Sequence, residues 1–341
     1  MQIYRFNSIL KPVLWGGDGM TAFKGLPPCD EPIGESWEIS GVAGRETVVA
    51  EGPDKGLTLS ELIQRHGAQL VGEDVFRRFG TQFPLLIKFI DARRDLSVQV
   101  HPGDELAMKL HGCEGKTEMW YILQADEGAK VFAGFNRPMS PEEYDVRVGD
   151  GSILDVVAAK DSKPGAAFFI PAGQIHSIGA GNMLVEIQQS SDITYRVWDY
   201  ARRDADGNLR QLHTQQAREA LNYDVVDSDV HYGPVKAMGV MPVVTCPQFD
   251  VCRVDVDGRL ELPLPVPHSF IALVCINGEA QVMVEGMDSV MLKMGQSALV
   301  PATVSSILLM GAAQLLTAMV PAVNGDELPG KDQLPGKPIT E

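Results

Sequence analysis

Three short stretches of the chain hold residue types that bind cations. Gln99-Val100-His101 alternates as a strand does, which puts Gln99 and His101 on one face, and Pro102 ends that strand. Lys116-Thr117-Glu118 stands at the entry to an apolar run, MWYIL, and Pro171-Ala172-Gly173-Gln174-Ile175-His176 turns into another strand. Two imidazoles, a carboxylate and an amide oxygen from three neighbouring strands make a mixed nitrogen and oxygen set. Such a set suits zinc, and an open position would serve water or substrate. The competing reading is that His101 and His176 are hydrogen-bonded core residues, which lone strand histidines more often are; spacing alone leaves both open. No stretch has the tight register of an HExxH site. His66, His111, His213, His231 and His268 are read as solvated or structural.

The elements that must carry these residues are mostly strands. Brief runs such as PLLIKFI, LSVQVHP, KVFAGF, AAFFIP, MLVEIQQ and TYRVWDY are set off by 34 glycines and 22 prolines. That is the turn density of a sandwich or barrel, so the class is mainly β. Capping residues and apolar spacing predict one helix over 58–80 and shorter ones over 140–148 and 214–222. A weak repeat aligns GAAFFIPAGQIHSIGAG (165–181) with GQSALVPATVSSILLMG (295–311), Pro171 on Pro301, which sets His176 opposite Ser306. Apolar periodicity lapses around 225–240. The expected division is therefore a site-bearing domain over 1–225, a second over 240–322 and a mobile tail over 323–341.

Composition narrows the partners. The 341 residues include 29 basic and 45 acidic side chains, a net charge of −16, which argues against nucleic acid and against an anionic membrane surface. The five cysteines are odd in number and show no CxxC spacing, so reduced thiols and a cytoplasmic setting are expected. The uncharged stretch 295–325 is interrupted by Pro301, Ser305, Ser306, Gly311 and Gln314 and reads as two strands, SSILLM and QLLTAMV, around a turn rather than a membrane span. DADGNLR (204–210) has its glycine too early for a calcium loop and reads as a hairpin. LWGGDGMTAFKG lacks the context of a nucleotide loop. Arg93-Arg94 and Arg202-Arg203 are solvated pairs or rim groups that could draw in a phosphate.

Several segments, in order along the chain, resemble the type I mannose-6-phosphate isomerases. PLLIKFIDARRDLSVQVHPGDELA (84–107) is similar to that family's metal-binding strand region, GKTEMWYIL (115–123) to its second motif and FFIPAGQIHSIGAGNMLVEIQQSSDITYRVWDY (168–200) to its third. VLWGG (13–17) and IGESWEIS (33–40) match its N-terminal pattern. The likeness covers about residues 1–220 and is nearest the short bacterial form, without the inserted helical domain of the long enzymes. It implies two cupin-like jelly-roll domains with a few short helices and one Zn2+ per chain, held by Gln99, His101, Glu118 and His176. It implies an active-site role for Arg196, contacts with the substrate phosphate for Lys116 and Ser97, and a substrate contact for Trp15. The second domain is expected to lack a metal site.

The implied reaction interconverts D-mannose 6-phosphate and D-fructose 6-phosphate by moving a proton between C2 and C1 through an enediol. It needs a base and positive charge near the developing oxyanion. Arg196 can stabilise that anion, and Glu186, Asp192 and the His101 region are candidate proton carriers. Glu186 has an alternative as a buried carboxylate orienting a ligand or Arg196, and Asp192 as a turn residue or a partner of Arg196. Other readings are an isomerase of broad range on unphosphorylated aldoses, a non-catalytic sugar-sensing cupin, and an iron oxygenase on the same fold. A monomer or homodimer is expected.

Overall fold

Period-two alternation sorts the strands of the first half into two faces. Along Asn182–Gln189, Met183, Val185 and Ile187 join one apolar cluster, whereas Leu184 joins another and shares its side with Glu186 and Gln188. Leu85–Ala92 and Glu118–Ala125 divide likewise: Ile87, Phe89, Met119 and Tyr121 go to the first cluster, Ile90, Ala92, Trp120 and Ile122 to the second.

The computed structural model describes residues 1–203, 207–233, 238–264 and 269–322. It is mainly β. A seven-stranded antiparallel sheet runs in the order Asp229–Val230, Ala167–Ile170, Glu118–Ala125, Asn182–Gln189, Leu85–Ala92, Ile33–Ser40 and Ile9–Gly17. A five-stranded sheet has the order Tyr195–Trp198, Val98–Val100, His176–Ile178, Lys130–Phe135 and Val157–Asp161. The second apolar cluster, in which Ile122 and Leu184 meet Val131, Ala133 and Ile178, packs these two sheets together. The faces they turn to each other are thus apolar at one end. At the other end the same faces carry Lys88, Glu118, Glu186 and His176, all buried.

The remaining sheet runs Gly239–Thr245, Asp250–Pro263, Ser306–Met319, Ile271–Met283 and Val290–Lys293, with Ser297–Val300 also paired to Ile271–Met283. Val274, Leu299, Leu316 and Ala318 from it share the first apolar cluster with Phe89 and Val185. Tyr4 and Leu299 exchange backbone hydrogen bonds of 2.9 and 2.8 Å, which ties the start of the chain to this sheet.

Local expectations fared unevenly. The single helix over 58–80 is three: Leu59–His66, with a Thr58–Glu61 capping box, then Ala68–Val71 and Glu73–Phe79. Gly67 (φ 53°) and Gly72 (φ 94°) break it, because positive φ cannot continue a right-handed helix. Pro141–Asp150 and Thr214–Ala220 form where helices were expected. Asp104–His111, closed by Gly112 in the left-handed conformation, was not anticipated. SSILLM and QLLTAMV are one strand, Ser306–Met319, with no turn between them. Gly311 (φ 147°) lies opposite Gly258 (φ 96°), and a Cβ on it would stand 2.4 Å from Glu279 O, so this glycine lets a paired strand pass its neighbour closely. Arg203 and Leu209 form an antiparallel bridge, and residues 204–206, within the expected hairpin, lie outside the described residues. Among the described residues no helix is long and apolar enough to cross a membrane. The five cysteines form no disulfide. The tail over 323–341 and His268 lie outside the described residues.

Candidate metal centre

Strand register brings the cation-binding residues together. His176, first residue of its strand, is the Cα partner of Gln99, and Gln99 is also the partner of Arg196. Glu118 opens the Glu118–Ala125 strand with its side chain on the Trp120 and Ile122 face. His101, one residue past the Val98–Val100 strand, is 1 % exposed. The two Nε2 atoms are 3.1 Å apart, and the Glu118 oxygens stand 3.5 Å from that of His101 and 3.4 Å from that of His176.

The backbone settles which ring nitrogens face inward. His101 Nδ1 donates to Ile193 O and His176 Nδ1 to Gln174 O, both at 2.8 Å. Both Nε2 atoms therefore turn a lone pair toward the carboxylate. Burial and neighbouring Lys116 push His101 down to about 3, and burial lowers His176 as well. Burial alone would raise Glu118, but Lys116 and His101 outweigh it and hold the carboxyl well below its ordinary range. Neither of its oxygens has a hydrogen-bond donor; Lys116 Nζ is 3.0 Å from Oε2 but off the axis that a hydrogen bond needs. Two lone pairs and a bare buried carboxylate within 4.8 Å of one another fit a divalent cation of borderline softness. Gln99 borders the group: its amide nitrogen lies 3.2 Å from His176 Nε2, and Ser97 Oγ donates to its oxygen at 3.4 Å.

A row of alternating charges leads away from this point. Lys116 Nζ lies 3.9 Å from Glu186, Lys88 Nζ lies 2.7 Å from Glu186, and Trp120 Nε1 donates to Glu186 Oε2 at 3.2 Å. Burial would lower Lys88, yet Glu186 and Glu35 raise it above its ordinary value. Burial would raise Glu35, yet Lys88 and Lys11 lower it. Glu186 thus orients neither a histidine nor Arg196; its partners are two lysines and an indole. Lys88 and Glu35 went unnoticed in the sequence. The available signal was a lysine inside PLLIKFI, at a position where every neighbour is buried.

The other expected residues are scattered around this group. Arg196 donates from Nη1 to Gln211 O at 2.9 Å, and its buried Nε has no partner among the described residues. Burial and the nearby Arg210 lower its affinity for its proton. Asp199 accepts from Arg202 and stands 3.3 Å from Arg210, so three guanidinium groups gather around one carboxylate among the described residues. Asp192 does not pair with Arg196. It meets Arg45 at the surface, because its loop turns outward from the Gln189 end of the strand. Ser97 and Lys116 are 4 % and 5 % exposed and lie beside Gln99 and Glu118. Trp15 belongs to the apolar cluster with Ile90 and Trp120, its ring against Gly34, and makes no polar side-chain contact among the described residues.

A profile of the type I phosphomannose isomerase catalytic domain matches residues 3–131, and one of the mannose-6-phosphate isomerase cupin domain matches residues 241–320. The mannose-6-phosphate isomerase ManA of Bacillus subtilis is 34 % identical over 316 residues, 92 % of this chain and 97 % of the relative. The mannose-6-phosphate isomerase of Streptococcus mutans is 33 % identical over 294 residues, 86 % and 90 % of the two chains. The crystal structure of the mannose 6-phosphate isomerase from Bacillus subtilis superposes with a TM-score of 0.84 at 31 % identity, covering 93 % of this chain and 99 % of the other. Likeness of this extent, over nearly the whole of both chains, means that this chain belongs to the type I mannose-6-phosphate isomerase family.

Proposed function

We propose that the chain interconverts D-mannose 6-phosphate and D-fructose 6-phosphate with one Zn2+ held by His101, Glu118, His176 and Gln99. The observation that carries this is the pair of histidines whose Nδ1 atoms are spent on backbone carbonyls, so that both Nε2 lone pairs meet the donor-free carboxylate of Glu118. Bound there, the ion would supply Lewis-acid polarisation of the sugar oxygens. The chain supplies the rest. Lys116 Nζ, wedged between Glu118 and Glu186, is positioned to donate to a sugar oxygen at the centre. Glu186, 3.9 Å from Lys116 Nζ, is the neighbouring carboxylate outside the metal set, and we assign it the proton passed between C2 and C1. Lys88 Nζ, 2.7 Å from its Oε1, holds the carboxylate in place. The planar donors of Arg196 face the negative charge that grows on the sugar oxygen as the enediol forms. Asp192, paired with Arg45, is assigned to the rim of the site.

The phosphate has its own receptor in this reading. Arg202 donates to Asp95 O, two residues before Ser97, and Arg196 and Arg210 lie beside it. A dianion would meet locally gathered positive charge there, in a protein whose net charge is −16. This favours a phosphorylated sugar over a free aldose. The free thiols suit a cytoplasmic enzyme. The test is an assay of the metal-stripped and zinc-restored chain on mannose 6-phosphate and on free mannose. Zinc-dependent conversion of the phosphorylated sugar alone is expected. Equal turnover of both sugars favours the broad-range isomerase, and binding without turnover favours a sensor.

A further inference from the structure

The segments that carry His101 and Glu118 are cross-linked by a brace to which no role has so far fallen. Asp104, three residues past His101, accepts through Oδ1 from Gly115 N at 2.8 Å and from Gln189 Nε2 at 2.9 Å. The other end of the Gln189 amide accepts from Thr117 N at 2.8 Å, and Gln189 N donates to Thr117 O at 3.1 Å. Lys116 N donates to Pro102 O at 3.1 Å. Gln189 therefore grips the residue before Glu118 with backbone and side chain while holding the first turn of the helix that follows His101. A side-chain amide suits the place because it accepts from an N–H and donates to a carboxylate at once. Gln189 is 6 % exposed, so neither end of that amide can be satisfied by bulk water if the brace opens.

We propose that Gln189 is a positioning residue which, through Asp104, sets the separation of His101 Nε2 from the Glu118 carboxylate and thereby how tightly the centre holds its cation. This rests on reading the centre as a metal site. Polar partners behind a metal ligand typically change affinity or activity by about 10–100-fold when removed. The test titrates the metal-stripped full chain with Co2+ and follows its visible absorption in the wild type and in Gln189→Leu, Asp104→Ala and Asp104→Asn. Gln189→Leu is expected to bind Co2+ about 10–100-fold more weakly and to show an altered absorption spectrum. Asp104→Ala, at an exposed position the fold tolerates, is expected to shift affinity the same way by less. Asp104→Asn keeps an oxygen for Gly115 N and Gln189 Nε2 and is expected to bind as the wild type does. A purely structural role would lower the melting temperature and leave Co2+ affinity and spectrum unchanged, which overturns the proposal. If Gln189→Leu does not fold, Asp104→Ala decides, with wild-type affinity overturning the brace. A wild type that binds no Co2+ overturns the metal reading itself, and the brace with it.

Discussion

The two halves of the chain build the same local plan and fill it differently. In each, a four-residue strand (Ala167–Ile170 or Ser297–Val300) runs into a proline, and the next strand begins at His176 or at Ser306. In the first half, the buried faces beyond the apolar cluster carry Lys88, Glu118, His176 and Glu186. In the second, Val254, Leu260, Leu273, Val282, Ile307 and Leu309 form an unbroken apolar cluster. The backbone plan therefore does not make a site. A site appears where buried side chains are left needing a partner that the chain does not provide, as the Glu118 oxygens are.

The largest effect should come from breaking the polar half. His176→Ala is expected to remain folded, to lose most of its metal and to drop isomerase activity to background, as metal analysis and assay would show. Wild-type turnover without metal would remove the centre from the mechanism. Arg196→Lys should lower turnover by about 10²–10³-fold, as loss of one donor to a developing oxyanion does, since a point charge cannot replace a planar fork. An unchanged kcat with a raised KM would make Arg196 a phosphate clamp instead.

The apolar half should answer in a different currency. Leu309→Ala is expected to cost about 2–5 kcal/mol in a denaturant titration while metal content per folded chain stays the same. Its converse, Ser306→His, adds one imidazole at the half-buried start of that strand and should add no bound metal, because such ions need about three or four donors. The smallest effect concerns the cost of the polar half. Burial and the charge of Asp104 push Glu114 up to about 7 from an ordinary 4.5. Its contribution to stability is full below 4.5 and is lost as pH rises through about 7. Glu114→Gln should flatten that decline in melting temperature, and an unaltered profile would place the loss elsewhere.

The residues of the His101, Glu118 and His176 cluster were legible as candidates in the sequence because strand geometry is local. Alternation puts Gln99 and His101 on one side, and a polar residue at the head of an apolar run announces Glu118 and His176. What lay across strands was not legible. That Lys88 meets Glu186 depends on a register linking positions 98 residues apart, and no spacing rule carries it. Asp192 shows the same gap: its SSD turn suggested Arg196 four residues on, but the loop places it against Arg45, 147 residues away. Glycine misled twice in opposite senses. Gly67 and Gly72 broke a helix that apolar periodicity made continuous, while Gly311 kept intact a strand that composition divided.

We place one cation centre in the first half and propose that isomerisation depends on it. Zinc titration into the metal-stripped chain, with mannose 6-phosphate conversion followed throughout, tests this most directly. Activity should rise in proportion to added zinc and break at one equivalent per chain. A break at two equivalents would give the second half a site of its own, and conversion that does not respond to metal would contradict the account.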